Sequence, residues 1–416
     1  MTSTSDEIRS TRLDNGLTVL FESMPWLESA SVSLLIPAGS VTDPTGLEGS
    51  ASVLYDWTNR GAGGLDNRAF TEKLDALGAW RGGSSDREYS VVSASLLASA
   101  LPRVLPLLAD QVIRPELADA EFDGATELVR QELRSLTDRP SSRLFEALNN
   151  AYFESGHGRS SYGTEEGLAA LTPSGVRQDF EHRYSPDGAV LAVAGGCDWD
   201  ELLGLVDASF ADWRGNRFQA PEVRLASPHA THVIADTSQQ HIGLNFEAAG
   251  VDDADWYLQS LAVGVLSGGM GARLFTEVRE KRGLAYSVGA AVRAIRGAGF
   301  ITAYAGTTPE RASETLSVLR DEFVRLSEGV REDELERARM GSLSNLVMHS
   351  ESSSSRSKAL AGDQYLRGVP RTVAEIQAAI EAVTLEQVNS WLAQRPLPEP
   401  FVVTLGPDTR AGGDAQ

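Results

Sequence analysis

The sequence contains a single cysteine, Cys197, so no disulfide can form within the chain and a zinc site built from several cysteines is ruled out. Basic residues are scarce as well. Lys and Arg number 37 against 58 Asp and Glu, a formal net charge of −21. A field of that sign repels phosphate backbones and anionic lipid, so neither nucleic acid nor a membrane is expected as a partner. No run of about 20 apolar residues is present to span a bilayer. The opening MTSTSDEIRS lacks the apolar segment of a signal peptide, and a cytoplasmic protein is the expectation. There are six histidines. His229 and His232 fall in a proline-containing stretch with no carboxylate at helical spacing and read as a solvated turn, and the other four are scattered. The G-x-S-x-G elbow and the P-loop are absent, and GGMGAR around Gly269 is not followed by the glycine that a dinucleotide turn requires.

The 416 residues, 42% of them hydrophobic and 23% charged, suit two or three folded domains of ordinary composition. An internal duplication organises them. PELADAEFDGATELVRQELRS, SSRLFEALNNAYFESGHG and LTPSGVRQDFEHRYSPDGAVLAVAGG in the first half return as VREDELERARMGSLSNLV, SSRSKALAGDQYLRGVP and VTLEQVNSWLAQRPLPEPFVVTLGP. Glu121 aligns with Glu334, Ser142-Arg143 with Ser355-Arg356, and Thr172 with Thr384, at an offset that stays near 212 residues. Two copies are too few for a solenoid and make two similar domains.

Each half reads as strands, then helices, then a closing strand. Strands are expected at Leu17–Phe21, Ser31–Ile36, Tyr89–Leu96, Ala189–Ala194, Gln240–Phe246, Ala285–Val292 and Phe300–Ala305. A helix from about Leu47 to Asn59 aligns Leu47, Ala51, Leu54 and Thr58 on one face, and Phe122, Ala125, Val129 and Leu133 repeat that spacing. The fold class is α+β: two homologous domains, each a mostly antiparallel sheet with helices packed on one face. The first domain is expected over 1–215, a linker over 216–231, the second domain over 232–408 and a polar tail over 409–416.

Leu266 to Ala290, LSGGMGARLFTEVREKRGLAYSVGA, is similar to the second-domain signature of the insulinase/pitrilysin family, whose zinc-bearing members are the H-x-x-E-H inverzincins. AGSVTDPTGLEGSASVLYDWTNRGAGG, YGTEEGLAAL and RYSPDGAVLAVAGG resemble that family's first domain in the same order. The resemblance runs from about Leu13 to Leu405, and the duplication is the family's own architecture.

The chain departs from the family at the metal. Zinc-bearing members carry H-x-x-E-H on the first helix after a Gly-Leu-x-Gly stretch, because positions i, i+3 and i+4 share one helical face and converge on one ion. Gly46-Leu47-Glu48-Gly49 is present here, but the matching positions hold Ser52, Tyr55 and Asp56. The family's third ligand, a later glutamate, matches Glu132. Neutral hydroxyls are weak zinc donors, so no zinc is expected on this chain and peptide hydrolysis by it alone is not expected. Asp56 and Glu132 leave open a remodelled site for an oxygen-loving cation. The edge strand that adds substrate in zinc-bearing relatives is replaced by Gly82-Gly83-Ser84-Ser85, which weakens side-chain contacts while allowing backbone pairing.

The family's second domain supplies an arginine and a tyrosine that reach the active site, matched here by Arg279 and Tyr286. A guanidinium and a phenol can bind a substrate carbonyl and stabilise the oxyanion formed when water attacks it. In two-chain members, such as the mitochondrial processing peptidase with its alpha subunit, one subunit carries zinc and its partner lacks H-x-x-E-H. The resemblance implies the partner role: a non-catalytic subunit that closes the chamber, binds peptide through Arg279 and Tyr286, and depends on a homologous zinc-bearing subunit in a heterodimer. Two alternatives stay open, a scaffold of the same fold, including a homodimer, and a weak hydrolase with a remodelled metal site.

Overall fold

A computed structural model describes residues 7–215, 219, 221–395 and 397–408. The expected tail 409–416, and 216–218 and 220 of the expected linker, lie outside the described residues.

Chain contacts divide the protein into two units, and each takes one segment from the other half of the sequence. The first comprises Met1–Ser135, Arg159–Glu222 and Met348–Val373, and the second Leu136–Gly158, Val223–Val347 and Ala374–Gln416. The first unit is built on a six-stranded sheet. Its strands are β1 (Ile8–Arg12), β2 (Thr18–Ser23), β3 (Ser29–Ile36), β6 (Trp80–Ser85), β7 (Ser90–Leu97) and β8 (Val190–Gly195), in the order β1-β2-β8-β3-β7-β6. All neighbours are antiparallel except β2 and β8. A small ladder, β4 (Gly61–Ala62) with β5 (Leu65–Asp66), follows helix α1 (Ser50–Thr58). The other helices of the first half are α2 (Asn67–Ala76), α3 (Leu101–Ile113), α4 (Asp119–Thr137), α5 (Pro140–Tyr152), α6 (Glu165–Ala170), α7 (Pro173–Arg183) and α8 (Trp199–Phe210).

The second sheet repeats the plan with one strand fewer. Its members β9 (Ala230–Ile234), β10 (Gln240–Ala248), β11 (Ala285–Ile295), β12 (Ala298–Thr307) and β13 (Phe401–Gly406) lie in the order β11-β12-β10-β13-β9. Again a single pair, β13 with β9, is parallel. The accompanying helices are α9 (Trp256–Ser267), α10 (Ala312–Ser327), α11 (Glu332–Ser350), α12 (Ser353–Arg367), α13 (Val373–Glu381) and α14 (Leu385–Gln394). Strand for strand, β2-β8-β3-β7-β6 corresponds to β9-β13-β10-β12-β11, so the duplication read from the sequence is a duplication of topology.

Period-two alternation sets the layers. Val19, Phe21, Val32, Leu34 and Ile36 point to the main core, where Val53, Leu54 and Trp57 of α1 meet them. Leu20 and Leu35 point the opposite way and are covered by Leu360, Ala361 and Tyr365 of α12. In the second unit Ile242, Leu244 and Phe246 meet α9 and α10, while Val403 and Leu405 on the other face are covered by Leu144, Leu148 and Tyr152 of α5. Gly243 lies on that face, where an added Cβ would stand 3.1 Å from Leu148 and 3.2 Å from Leu144. The α+β class and the mostly antiparallel sheets are as expected. In addition each sheet has a helix on its second face, and that helix comes from the other half of the sequence. The two exchanged helices, α5 and α12, carry the duplicated Ser142-Arg143 and Ser355-Arg356. Thus 136–158 and 348–373 pack across the boundaries drawn at 1–215 and 232–408.

A buried ion pair anchors α12. Arg356 meets Glu22 at 2.6 Å, and both side chains are almost fully enclosed. Ser353 and Ser31 share a hydrogen bond of 3.0 Å. Duplicated pairs also brace the helices. Arg60 meets Glu121 at 3.2 Å in the first unit, and Arg273 meets Glu334 at 2.7 Å in the second. Thr172 and Thr384, read as equivalent, cap α7 and α14 by accepting the amides of Gly175 and Gln387.

Candidate functional site

In the second unit the residues flanking Arg279 and Tyr286 force both side chains outward. Phe275–Glu280 form a π-helical turn, and the Lys281 amide donates to the Thr276 carbonyl at 2.9 Å. Such wide turns rotate side chains off the register of an ordinary helix and recur at functional sites. Gly283, at φ 60°, then reverses the chain in a conformation that disfavours a Cβ. Val278 and Leu284 are buried on either side of the turn and fix it.

Strand β11 begins with a bulge. Ala285 pairs with Thr307 and Ser287 with Gly306, leaving Tyr286 unpaired between them. A bulge of this kind re-aims one side chain, and Tyr286 is 80% exposed. The Arg279 guanidinium lies 5.1 Å from the Tyr286 ring centroid and 4.9 Å from that of Phe275. At these separations each cation–π contact contributes about 0.5–1 kcal/mol at an exposed site. Glu277 meets Lys281 at 2.6 Å and Arg282 at 2.6 Å, which holds its carboxyl below the ordinary range. Arg279 has no ion pair among the described residues. The outcome is a guanidinium and a phenol side by side, oriented by aromatic packing, with their donors turned to solvent. Phe275, the π turn and the bulge are the parts of this arrangement that sequence reasoning missed. One further tyrosine or arginine at a similar position would not do the same work without them.

In the first unit the structure shows what became of the metal-binding positions. Ser52, on α1, is buried and donates to the Ser161 carbonyl at 2.6 Å. Tyr55 is pushed up to about 12 by burial, so its phenol keeps its proton. Its hydroxyl stands 2.4 Å from where a Cβ on Gly83 would be, and Gly83 itself sits at φ 136° with the Val91 carbonyl 1.9 Å from that point. Only glycine fits there, so the glycine in the edge strand and the tyrosine on the helix are sterically coupled. Asp56 meets Arg60 at 2.6 Å. Burial raises its carboxyl while the Arg60 guanidinium opposes the rise.

The carboxylate joined to Asp56 through Arg60 is Glu121, which also accepts from Asn67 at 3.1 Å. Glu132 is exposed and lies eleven residues further along α4, about 16 Å of helix rise. Among the described residues, no three His, Cys, Asp or Glu side chains are grouped to hold a metal ion. A bonded serine, a protonated phenol and an ion-paired aspartate do not fit a zinc ion, which is held by imidazoles, thiolates and carboxylates free to donate. Strand β6 remains at the sheet edge, with all of Trp80–Ser84 exposed. Among the described residues no helix is long and apolar enough to cross a membrane.

Two duplicated α+β units, with an Arg/Tyr pair in the second and a first helix of the inverzincin type without its ligands, define a peptidase-related class. Comparison with known proteins agrees. The family model described as insulinase, peptidase family M16, matches residues 18–165, and the model described as the peptidase M16 inactive domain matches 170–342. A Mycobacterium tuberculosis protein described as an uncharacterized zinc protease is 30% identical over 390 residues, covering 92% of this chain and 89% of the relative. The chain belongs to the insulinase family. Its fold is similar to the crystal structure of a peptidase M16 inactive domain from Pseudomonas fluorescens, with TM-score 0.87, 21% identity and 97% and 98% of the two chains covered. It is also similar to a chain of complex III2 from Candida albicans, with TM-score 0.83, 18% identity and 96% of each covered.

Proposed function

We propose that this chain is the non-catalytic subunit of a heteromeric zinc peptidase. It closes the peptide chamber of a homologous zinc-bearing partner and presents Arg279 and Tyr286 to the substrate. Zinc, attacking water and general base all belong to the partner chain. The guanidinium and the phenol hydroxyl donate to the carbonyl oxygen of the scissile bond and stabilise the negative charge that develops on it. The observation that carries this reading is the exposed Arg279–Tyr286 stack, with no acid holding Arg279 among the described residues. It is joined by the engagement of Ser52, Tyr55 and Asp56 elsewhere.

Affinity capture of the tagged full chain from its native cell extract, with mass spectrometry of the eluate, tests the partnership. A co-eluting chain of similar size bearing H-x-x-E-H, at stoichiometric ratio, is the expected result. Recovery of this chain as a homodimer alone would overturn the heteromeric reading and favour a scaffold.

A further inference from the structure

The two main sheets have four edge strands, and three of them carry arginine: Arg9 and Arg12 on β1, Arg81 on β6 and Arg293 on β11. The β11 edge is occupied further where the Ala290 amide donates to Ser267 of α9 at 2.8 Å. Charge and cover of this kind keep other chains from pairing with an edge. Strand β9 has neither. From Leu225 to Ala235 the sequence holds no Lys, Arg, Asp or Glu, and Ile234 is 64% exposed. Its counterpart β2 is closed on the corresponding side by β1, from Ile8 opposite Glu22 to Arg12 opposite Thr18. Among the described residues no strand pairs with the free side of β9.

The backbone of β9 suits one kind of neighbour. The Val402 amide donates to the His229 carbonyl and the Ala235 amide to the Gly406 carbonyl. Alternation along the strand then turns Thr231 and Val233 toward β13, and the amides and carbonyls of Ala230, His232 and Ile234 point outward. We infer that β9 pairs antiparallel with β9 of a second copy of this chain, about a twofold axis at His232, joining two five-stranded sheets into one. His232 exchanges both backbone hydrogen bonds with His232 of the second copy, and Ala230 and Ile234 do so with Ile234 and Ala230 of that copy, about six bonds in all. The outward groups are thus self-complementary, as a twofold interface requires. Charge favours a second copy at this place. Two chains of net charge −21 repel each other, and an uncharged strand lets them approach. Strands β9 and β11 are opposite edges of the sheet, so the pairing leaves Tyr286 and the Arg279 stacked on it open and does not rest on the peptide-binding reading.

Sedimentation velocity of the purified full chain over a range of concentrations tests the pairing. The mass should rise from 44.6 kDa to twice that value as concentration increases. Ala230→Pro removes an outward amide at the first position of the strand, where proline is tolerated, and Ile234→Lys adds a charge to the edge. Both positions are exposed, so circular dichroism should show an unchanged fold. Ile234→Lys alone, and the two together, should raise the dimer dissociation constant about tenfold or more, while Ile234→Val should leave it unchanged. A chain that stays at 44.6 kDa throughout, or a dimer as tight in Ile234→Lys as in wild type, would overturn the inference. A monomeric chain whose captured H-x-x-E-H partner is lost in the same variant would overturn it too, and would make β9 the seat of that partner.

Discussion

Replacing Arg279 by alanine in the assembled peptidase is expected to lower kcat about 100-fold with a much smaller change in KM. A donor aimed at the developing oxyanion acts chiefly in the transition state, and removing one such donor costs on the order of 10²–10³ in kcat. Tyr286→Phe keeps the ring on which Arg279 stacks and deletes only the hydroxyl, so a smaller loss, about tenfold, should follow. Tyr286→Ala removes the ring as well, freeing the guanidinium from one of its two aromatic supports, and should approach the Arg279→Ala value. The comparison of Phe with Ala at this position distinguishes donation from positioning. Steady-state kinetics on reconstituted complexes measures all three, and an unchanged kcat for Arg279→Ala removes the pair from the mechanism.

The largest stability effect is expected at Arg183. Its side chain is 3% exposed and meets Asp43 at 2.9 Å and Asp179 at 2.7 Å. It also donates to the Gly39 and Thr42 carbonyls. Asp43 in turn accepts the amides of Gly49 and Ala51 at the start of α1, so one guanidinium joins α7 to the entry of the helix that carries Ser52, Tyr55 and Asp56. Arg183→Ala leaves buried carboxylates without their cation, a change that costs about 3–5 kcal/mol.

The pH dependence of that defect has a definite sign. Burial holds the Asp43 carboxyl above its ordinary value of 3.8, and Arg183 is the largest opposing influence. A carboxyl raised in the folded state binds its proton more tightly there, so it costs stability as pH rises from 3.8 through the folded value. Loss of Arg183 raises the folded value further. The deficit of the variant should therefore be greatest near neutrality and narrow as pH falls toward about 4. Urea denaturation of wild type and variant across that range reads it directly; a deficit independent of pH would mean that packing, rather than charge, dominates.

The two-unit architecture was legible because a duplicated sequence repeats its local signals. The β-rich runs of β2 and β3, the alternation of β7, the short apolar run of β8 and the equivalence of Thr172 with Thr384 can be read one element at a time. The exchange of α5 and α12 between units was not legible, since it rests on contacts hundreds of residues apart, such as Arg356 with Glu22. Neither helix carries a local mark of which sheet it will cover. Arg279 and Tyr286 were found through resemblance of the surrounding segment rather than from their own chemistry, and the π turn and bulge that aim them depend on hydrogen-bond register. Two features of the first unit did leave readable traces. Asp56 and Arg60 stand four residues apart on one helix, the spacing of an ion pair. Consecutive glycines inside β6 mark a place where another group approaches the backbone, and that group proved to be the Val91 carbonyl together with Tyr55.

In the proposed division of labour this chain would supply substrate-binding donors and its partner the metal. Zinc content and peptide hydrolysis, measured on the purified chain alone and after mixing with an H-x-x-E-H partner, test it most directly. The chain alone should retain no stoichiometric zinc and cleave nothing, and hydrolysis should appear only in the mixture, with the zinc on the partner. One equivalent of a divalent ion on the isolated chain, lost in Asp56→Ala and accompanied by hydrolysis, would contradict the account and establish a remodelled active site instead.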